Sequence, residues 1–389
     1  MNFWVEELSL LKEEGLHREL KRLESSQSPR VIIDNQEVIM LASNNYLGLS
    51  TRKEIKEEVI QVIEEYGTGS GGSRLTTGNY DLHEELESKL ANFKETEAAL
   101  VFNTGYMANL GVLTTVVGAE DVIICDKLNH ASIIDGCRLS KAKLLVYKHG
   151  DLERLEMILK RSSKYRKKLI VTDGVFSMDG DLAPLPEIVE LAKKYQALVM
   201  VDDAHGTGVL GKKGSGIVEY FDLKGKIDIQ LGTLSKALGS EGGFVAGSKE
   251  LIDLLRNKAR AFIYSTALAP ATIGASLASL NYLQSHPELI KKLWRNIKLL
   301  KDGLEDLGYD LLPSNSAIIP IMIGDTEKTM KLSKSLVEEG VLAPGIRPPT
   351  VPRGMSRIRV TVMASHSSED IEEALDIFAR AGREVGLIR

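Results

Sequence analysis

Lys236 stands in the run Gly232-Thr233-Leu234-Ser235-Lys236-Ala237-Leu238-Gly239, where few charges are near enough to hold its ammonium protonated. An amine in such a setting can act as a nucleophile toward a carbonyl and as a base. Four other stretches bring complementary groups. Asp202-Asp203-Ala204-His205-Gly206 offers a carboxylate and an imidazole, and Asp126-Lys127-Leu128-Asn129-His130 a second imidazole. Asn103-Thr104-Gly105-Tyr106-Met107-Ala108-Asn109 reads as a glycine-led helix start, and Asp173-Gly174-Val175-Phe176-Ser177-Met178-Asp179-Gly180 supplies a hydroxyl. Each has a plain structural reading when taken alone. A lysine in Ser-Lys-Ala is usually on the surface, a lone histidine is usually a hydrogen-bonded structural one, and Asp202 could cap a loop.

Taken together, the set meets the needs of an aromatic, phosphorylated aldehyde, which makes pyridoxal phosphate the expected cofactor, bound as a Schiff base to Lys236. Asp202 would keep a pyridinium nitrogen protonated. Gly105 and Tyr106 offer N–H groups at a helix N-terminus, and Thr233 a hydroxyl, for the phosphate. His130 could stack on the ring, and His205 or Ser177 could meet its phenolic oxygen.

The elements that must position these groups follow from the apolar runs Ala98–Phe102, Val122–Cys125, Leu144–Tyr147, Leu169–Thr172, Leu198–Val201 and Ile227–Leu231, which read as buried strands. A helical face at Pro186–Tyr195 lies between two of them, giving the βαβ unit of a parallel sheet. In such a sheet ligands bind beyond the carboxyl ends of the strands, where all five stretches fall. Residues 1–50 read as an arm, with a helical pattern through Leu8, Leu11, Leu16 and Leu20 and a hairpin of Val31–Asp34 and Val38–Leu41. Residues 51–289 form the large domain. Residues 290–389 form a small α/β domain, entered by a long amphipathic helix at about 287–307. Its further elements are a strand at Ile318–Ile323, a helix at Glu327–Glu339, strands near Val341–Pro344 and Arg357–Val362, and a terminal helix from Ser368.

Competing motifs exist. Gly206-Thr-Gly208-Val-Leu-Gly211 fits a dinucleotide-binding G-x-G-x-x-G after a strand, but Lys212-Lys213-Gly214-Ser215-Gly216 is no helix start. The same stretch fails as a P-loop, because Lys213 stands where Ser or Thr must hold magnesium. Gly67-x-Gly69-x-x-Gly72 follows a helix, Ile55–Tyr66, and reads as its stop. A metal site at Asp202, Asp203 and His205 lacks a further ligand cluster, so no metal is expected.

The 389 residues favour two or three domains, and 43% hydrophobic with 26% charged residues speaks for a globular chain rather than a disordered one. A net charge of −5 gives no reason to expect nucleic acid or an anionic membrane as partner. Cys125 and Cys137 are too few for a disulfide framework, and the first residues lack a secretion signal, so the cytoplasm is the expected location. Ala261–Ser285 carries no charge, yet its polar residues and Pro270 argue against a membrane span and for a buried loop and helix.

Ser43-Asn-Asn-Tyr-Leu-Gly48, Asn129-His-Ala-Ser132, Asp173–Gly180, Asp202-Asp-Ala-His-Gly206 and Thr233-Leu-Ser-Lys236 together resemble the α-oxoamine synthase family. These are fold-type I pyridoxal-phosphate enzymes that join an amino acid to an acyl thioester. The resemblance covers essentially the whole chain. It implies a mostly parallel seven-stranded sheet with a small α/β C-terminal domain, in a homodimer with active sites at the interface. It gives Lys236, Asp202, His130, His205 and Ser177 the roles described above, and likens Tyr264-Ser265-Thr266 to a loop that reaches the partner's phosphate site. Gly69–Leu75 and Ile346–Pro352 are similar to members that take L-alanine and a pimeloyl thioester, on coenzyme A or acyl carrier protein. Ala131–Gly136 is common instead in members that take glycine and acetyl-CoA, so a second or dual substrate pair stays open. The resemblance further implies that Arg357, ahead of Arg359, and Asn44 grip the amino-acid carboxylate. Thr350 and Arg74, with Lys21 or Arg22, would meet the acyl substrate.

Overall fold

The computed structural model describes residues 2–13, 16–18 and 20–389. Seven strands form the central sheet, in the order Ala98–Phe102, Gly243–Gly247, Ile229–Thr233, Leu198–Asp202, Lys168–Asp173, Val122–Asp126 and Lys143–Tyr147. All six runs read from sequence are strands, one of them shifted two residues to Ile229–Thr233. The seventh, Gly243–Gly247, escaped sequence reading. Its Gly-Phe-Val-Ala-Gly composition is poor in strand formers, and it runs antiparallel to both neighbours while the others run parallel. The inner parallel strands are Val-, Ile- and Leu-rich and buried on both faces, as expected when helices cover the sheet on each side. Parallel register also sets Asp173 beside Asp202. Two carboxylates therefore emerge together at the strand ends.

The arm is joined to the C-terminal part. Its strands Arg30–Ile33 and Gln36–Met40 turn through Asp34 and Asn35, both at positive φ (50° and 62°), which is the geometry of a two-residue hairpin. Gln36–Met40 then pairs in parallel with Val341–Leu342. The helix Phe3–Glu13 holds Leu8 and Leu11, but Leu16 and Leu20 lie outside it, so the predicted helical pattern ends early. Strands Ile318–Gly324, Ser356–Thr361 and Gly345–Ile346 form a third sheet. Helices Thr326–Glu338 and Ser368–Val385 pack against each other beside it, and the long helix is Glu288–Asp306. Among the described residues no helix is long and apolar enough to cross a membrane; the uncharged stretch is a short helix, a loop and the helix Pro270–Ser285.

Next to Asp202, a buried ion pair shapes the turn that follows. The Lys94 ammonium, wholly buried, donates to Asp203 Oδ2 at 2.7 Å, to Thr207 Oγ1 at 2.9 Å and to the Ser215 carbonyl at 2.5 Å. Asp203 also accepts the Ile217 N–H at 3.2 Å. A Cβ on Gly206 would lie 2.0 Å from Asp203 Oδ1, and one on Gly216 1.6 Å from its Oδ2. These glycines are therefore required by space around a carboxylate, not by a pyrophosphate. Only the four-residue helix Ile217–Tyr220 follows them, which removes the dinucleotide reading. Lys94→Ala would leave a buried carboxylate uncompensated and is expected to cost about 3–5 kcal/mol in urea unfolding of the full chain. A loss below about 1 kcal/mol would contradict this role.

Candidate active site

Gly105, Tyr106, His130, Ser177, Asp202, His205, Thr233 and Lys236 line one cavity of about 250 Å³ at the carboxyl ends of the strands. Its floor is Asp202, whose Oδ2 accepts from Asn109 Nδ2 at 2.8 Å and whose Oδ1 accepts the Ala204 N–H at 3.1 Å. Asp173 beside it accepts the His130 N–H at 2.8 Å; burial, and then the Asp202 charge, push its carboxyl well above the usual range. Lys236 keeps some surface toward the cavity while protein packs closely round its amine. Burial lowers this amine to about 8, against the opposing pull of Asp202 and Asp173.

His130 caps the helix Ala131–Leu139 and is held edge-on by Ser132, with Nδ1 to Oγ at 2.7 Å. The ring remains exposed where it lines the cavity, as a stacking surface must be. At the other end, Thr104 caps the helix Gly105–Val116 by accepting the Met107 N–H, and the hydroxyls of Thr233 and Ser235 lie 2.7 Å apart. The first N–H groups of that helix, with these hydroxyls, form an anion cradle. His205 is buried, with Nδ1 2.7 Å from the Tyr46 hydroxyl; burial holds it well below the usual histidine range, helped by the charges of Lys236, Arg359 and His130.

Several expectations need correction. Arg357 is 1% exposed and committed to Asp179 Oδ1 at 2.7 Å and the carbonyls of Met178 and Met355, so it braces the structure. Arg359 is the cation beside the cavity. It donates to the Ser177 carbonyl at 2.6 Å and to Asn44 Oδ1 at 3.2 Å, and has no acidic partner among the described residues. Arg74 is paired with Glu87 at 2.8 Å and faces a different cavity. Thr350 is exposed, at a third cavity near Leu8, Leu11 and Leu16. Lys21 and Arg22 are on the surface, Arg22 bonded to Glu24. The loop expected to be buried is open within the chain, with Tyr264 72% exposed; Ser265 and Thr266 lie outside this chain's own cavity, and the site they were expected to reach is the partner's.

Sequence reading also missed residues. Asn109 lies one helical turn after Gly105 and so shares its face, a spacing that could have found it. Tyr46 sat inside a quoted motif without a role. His149 carried no local signal. Its Nδ1 contacts both Asp126 oxygens at 3.1 Å and its Nε2 contacts Asp181 Oδ2 at 2.8 Å. An imidazole facing carboxylates through both nitrogens must be doubly protonated. Burial opposes this charge, but Asp126 and then Asp181 hold it up to about 10.

A model of the aminotransferase class I and II family matches residues 36–378. This chain belongs to that family. It is 52% identical to the 8-amino-7-oxononanoate synthase of Symbiobacterium thermophilum, over all of this chain and 99% of the relative. The enzyme of the same name from Thermoanaerobacter pseudethanolicus is 51% identical, over 100% and 98%. A solved serine palmitoyltransferase from S. paucimobilis with bound PLP–myriocin superposes with a TM-score of 0.94 at 34% identity, over 100% of this chain and 98% of that one. The fold is that of the fold-type I pyridoxal-phosphate transferases within this family. The cavity fits the cofactor on its own chemistry. It has a carboxylate floor, an amine of lowered pKa, an open imidazole face and an N–H cradle at the far end.

His149 makes a pH test. Its pKa is raised on folding, so the stability it adds is complete below about 6.5, the value of a free histidine, and is lost as pH rises through about 10. The stability difference between wild type and His149→Gln in denaturant titrations should therefore shrink steadily from pH 6.5 to pH 10. A difference that is constant or grows with pH would contradict a charged His149.

Proposed function

We propose that this chain acts as an 8-amino-7-oxononanoate synthase, condensing L-alanine with a pimeloyl thioester and releasing carbon dioxide and the thiol. The observation that carries the reading is full-length identity of about one half to several enzymes of that name. The cavity supports it with the groups that such chemistry needs.

Pyridoxal phosphate, bound there, supplies an aldehyde for an amine and a protonated ring that draws electron density from the α-carbon of a joined amino acid. Asp202 would hold the ring nitrogen's proton, with its carboxylate fixed by Asn109 and the Ala204 N–H. Lys236, its amine near 8, is partly neutral at working pH and can take a proton at Nζ from an adjacent carbon. Arg359 with Asn44 offers the fork for the alanine carboxylate. In the overall change a carbon–carbon bond forms between the alanine α-carbon and the thioester carbonyl, the carbon–sulfur bond breaks, and the alanine carboxyl leaves as carbon dioxide.

This reading takes the chain to the cytoplasm and to a homodimer. Tyr106, which lines the cavity and is 43% exposed, supports a subunit interface there. A glycine and acetyl-CoA enzyme is the second reading, carried by Ala131-Ser-Ile-Ile-Asp-Gly136 at the start of the helix that His130 caps.

The test is thiol release by the purified chain with pyridoxal phosphate. Release with L-alanine and pimeloyl-CoA should exceed that with glycine and acetyl-CoA at least 10-fold. The reverse ratio would transfer the chain to the second reading, and silence with both pairs would overturn each.

A further inference from the structure

Two side chains join His130 to Asp202. Asp202 Oδ2 lies 2.8 Å from Asn109 Nδ2, that nitrogen lies 2.9 Å from Ser132 Oγ, and the hydroxyl lies 2.7 Å from His130 Nδ1. Asn109 and Ser132 are each 1% exposed, so water does not compete for these bonds.

A carboxylate only accepts, so the atom of Asn109 that faces Asp202 is the amide nitrogen. Turning the amide round would set its oxygen against the carboxylate. It would gain nothing in return, because the position that the Asn109 oxygen occupies has no hydrogen-bond partner among the described residues. The two hydrogens of the nitrogen therefore go to Asp202 and to Ser132 Oγ. An amide nitrogen does not accept, so the serine's own hydrogen is directed to its other neighbour, His130 Nδ1. The Ser132 backbone N–H points at the same ring nitrogen from 3.3 Å, which is an independent donor. Two donors aimed at Nδ1 leave no room for a proton on it. Burial lowers the proton affinity of the ring; Asp202 opposes this and Lys236 adds to it, so the ring is neutral. A neutral imidazole carries one N–H only.

We infer that Ser132, oriented by Asn109, fixes His130 in the tautomer protonated at Nε2. Both are positioning residues, and Asn109 is shared: one of its hydrogens steadies the Asp202 carboxylate while the other orders the imidazole. Among the described residues Nε2 has no hydrogen-bond partner, and His130 lines the cavity. The ring therefore offers a bound substrate a donor at Nε2 and no lone pair there, which suits an oxygen acceptor and leaves Lys236 as the base. Only this consequence rests on the proposed function. The tautomer is read without turnover, so failure of one is distinguishable from failure of the other.

The experiment is long-range proton–nitrogen correlation NMR on the full-length chain labelled at histidine nitrogen, with and without pyridoxal phosphate. The His130 signals are assigned by their loss in His130→Gln. In both states wild type should show a pyridine-like Nδ1 and a pyrrole-like Nε2 at neutral pH. In Ser132→Ala the Nδ1 loses its nearer donor, and its signal should shift downfield. In Asn109→Leu the serine hydrogen is no longer directed, and the same signal should shift the same way by a smaller amount. A protonated Nδ1 in the wild type would overturn the inference even if neither variant folded. An unchanged Nδ1 signal in folded Ser132→Ala would overturn the part played by Ser132, and in folded Asn109→Leu that of Asn109.

Discussion

Lys236 is a primary amine that the fold desolvates without neutralising its surroundings. Burial lowers its proton affinity, and the two carboxylates at the neighbouring strand ends restore part of it, leaving the amine near 8. Neither force alone would serve. A lysine open to water would stay charged at working pH, and one buried without Asp202 and Asp173 would lose the proton that it must also be able to carry. Six parallel strands make this balance unavoidable, because they end on one edge and deliver their following residues to one place.

The loop after Lys168–Asp173 shows how the rest of the molecule serves that place. Three cations hold it: His149 at Asp181, Arg357 at Asp179, and Arg359 at the Ser177 carbonyl. Two of them stand on the strand Ser356–Thr361, so the C-terminal sheet is tied to the cavity through the same loop. A second charged anchor, Lys94 with Asp203, sits beside Asp202 and fixes the turn that carries His205. Buried polar groups of this kind are costly unless every member is bonded, which makes the site rigid when the whole set is present.

The lining of the candidate cofactor cavity was legible in the sequence because its residues follow apolar strands directly. Lys236, Asp202, His130 and His205 needed no long-range information once the strands were found. Gly243–Gly247 was lost because glycine and alanine conceal a strand whose burial is set by its neighbours. Arg357 and Arg359 point to the same side of one strand, so alternation could not separate them; only the position of Asp179 does. His149 and Lys94 are invisible in sequence for the same reason, since their partners lie 23 and 109 residues away. The motif Gly206-Thr-Gly208-Val-Leu-Gly211 misled in the opposite sense. Its first glycine leaves room for Asp203, and a Cβ on the other two would strike Ala237 and Glu219.

The most direct measurement is borohydride reduction of the chain after incubation with pyridoxal phosphate, followed by peptide mass mapping. One pyridoxyl phosphate adduct at Lys236, absent in Lys236→Ala, is the expected result. Modification spread over surface lysines, or an equal yield in the Lys236→Ala protein, would contradict the assignment of Lys236 and with it the cavity as the seat of catalysis.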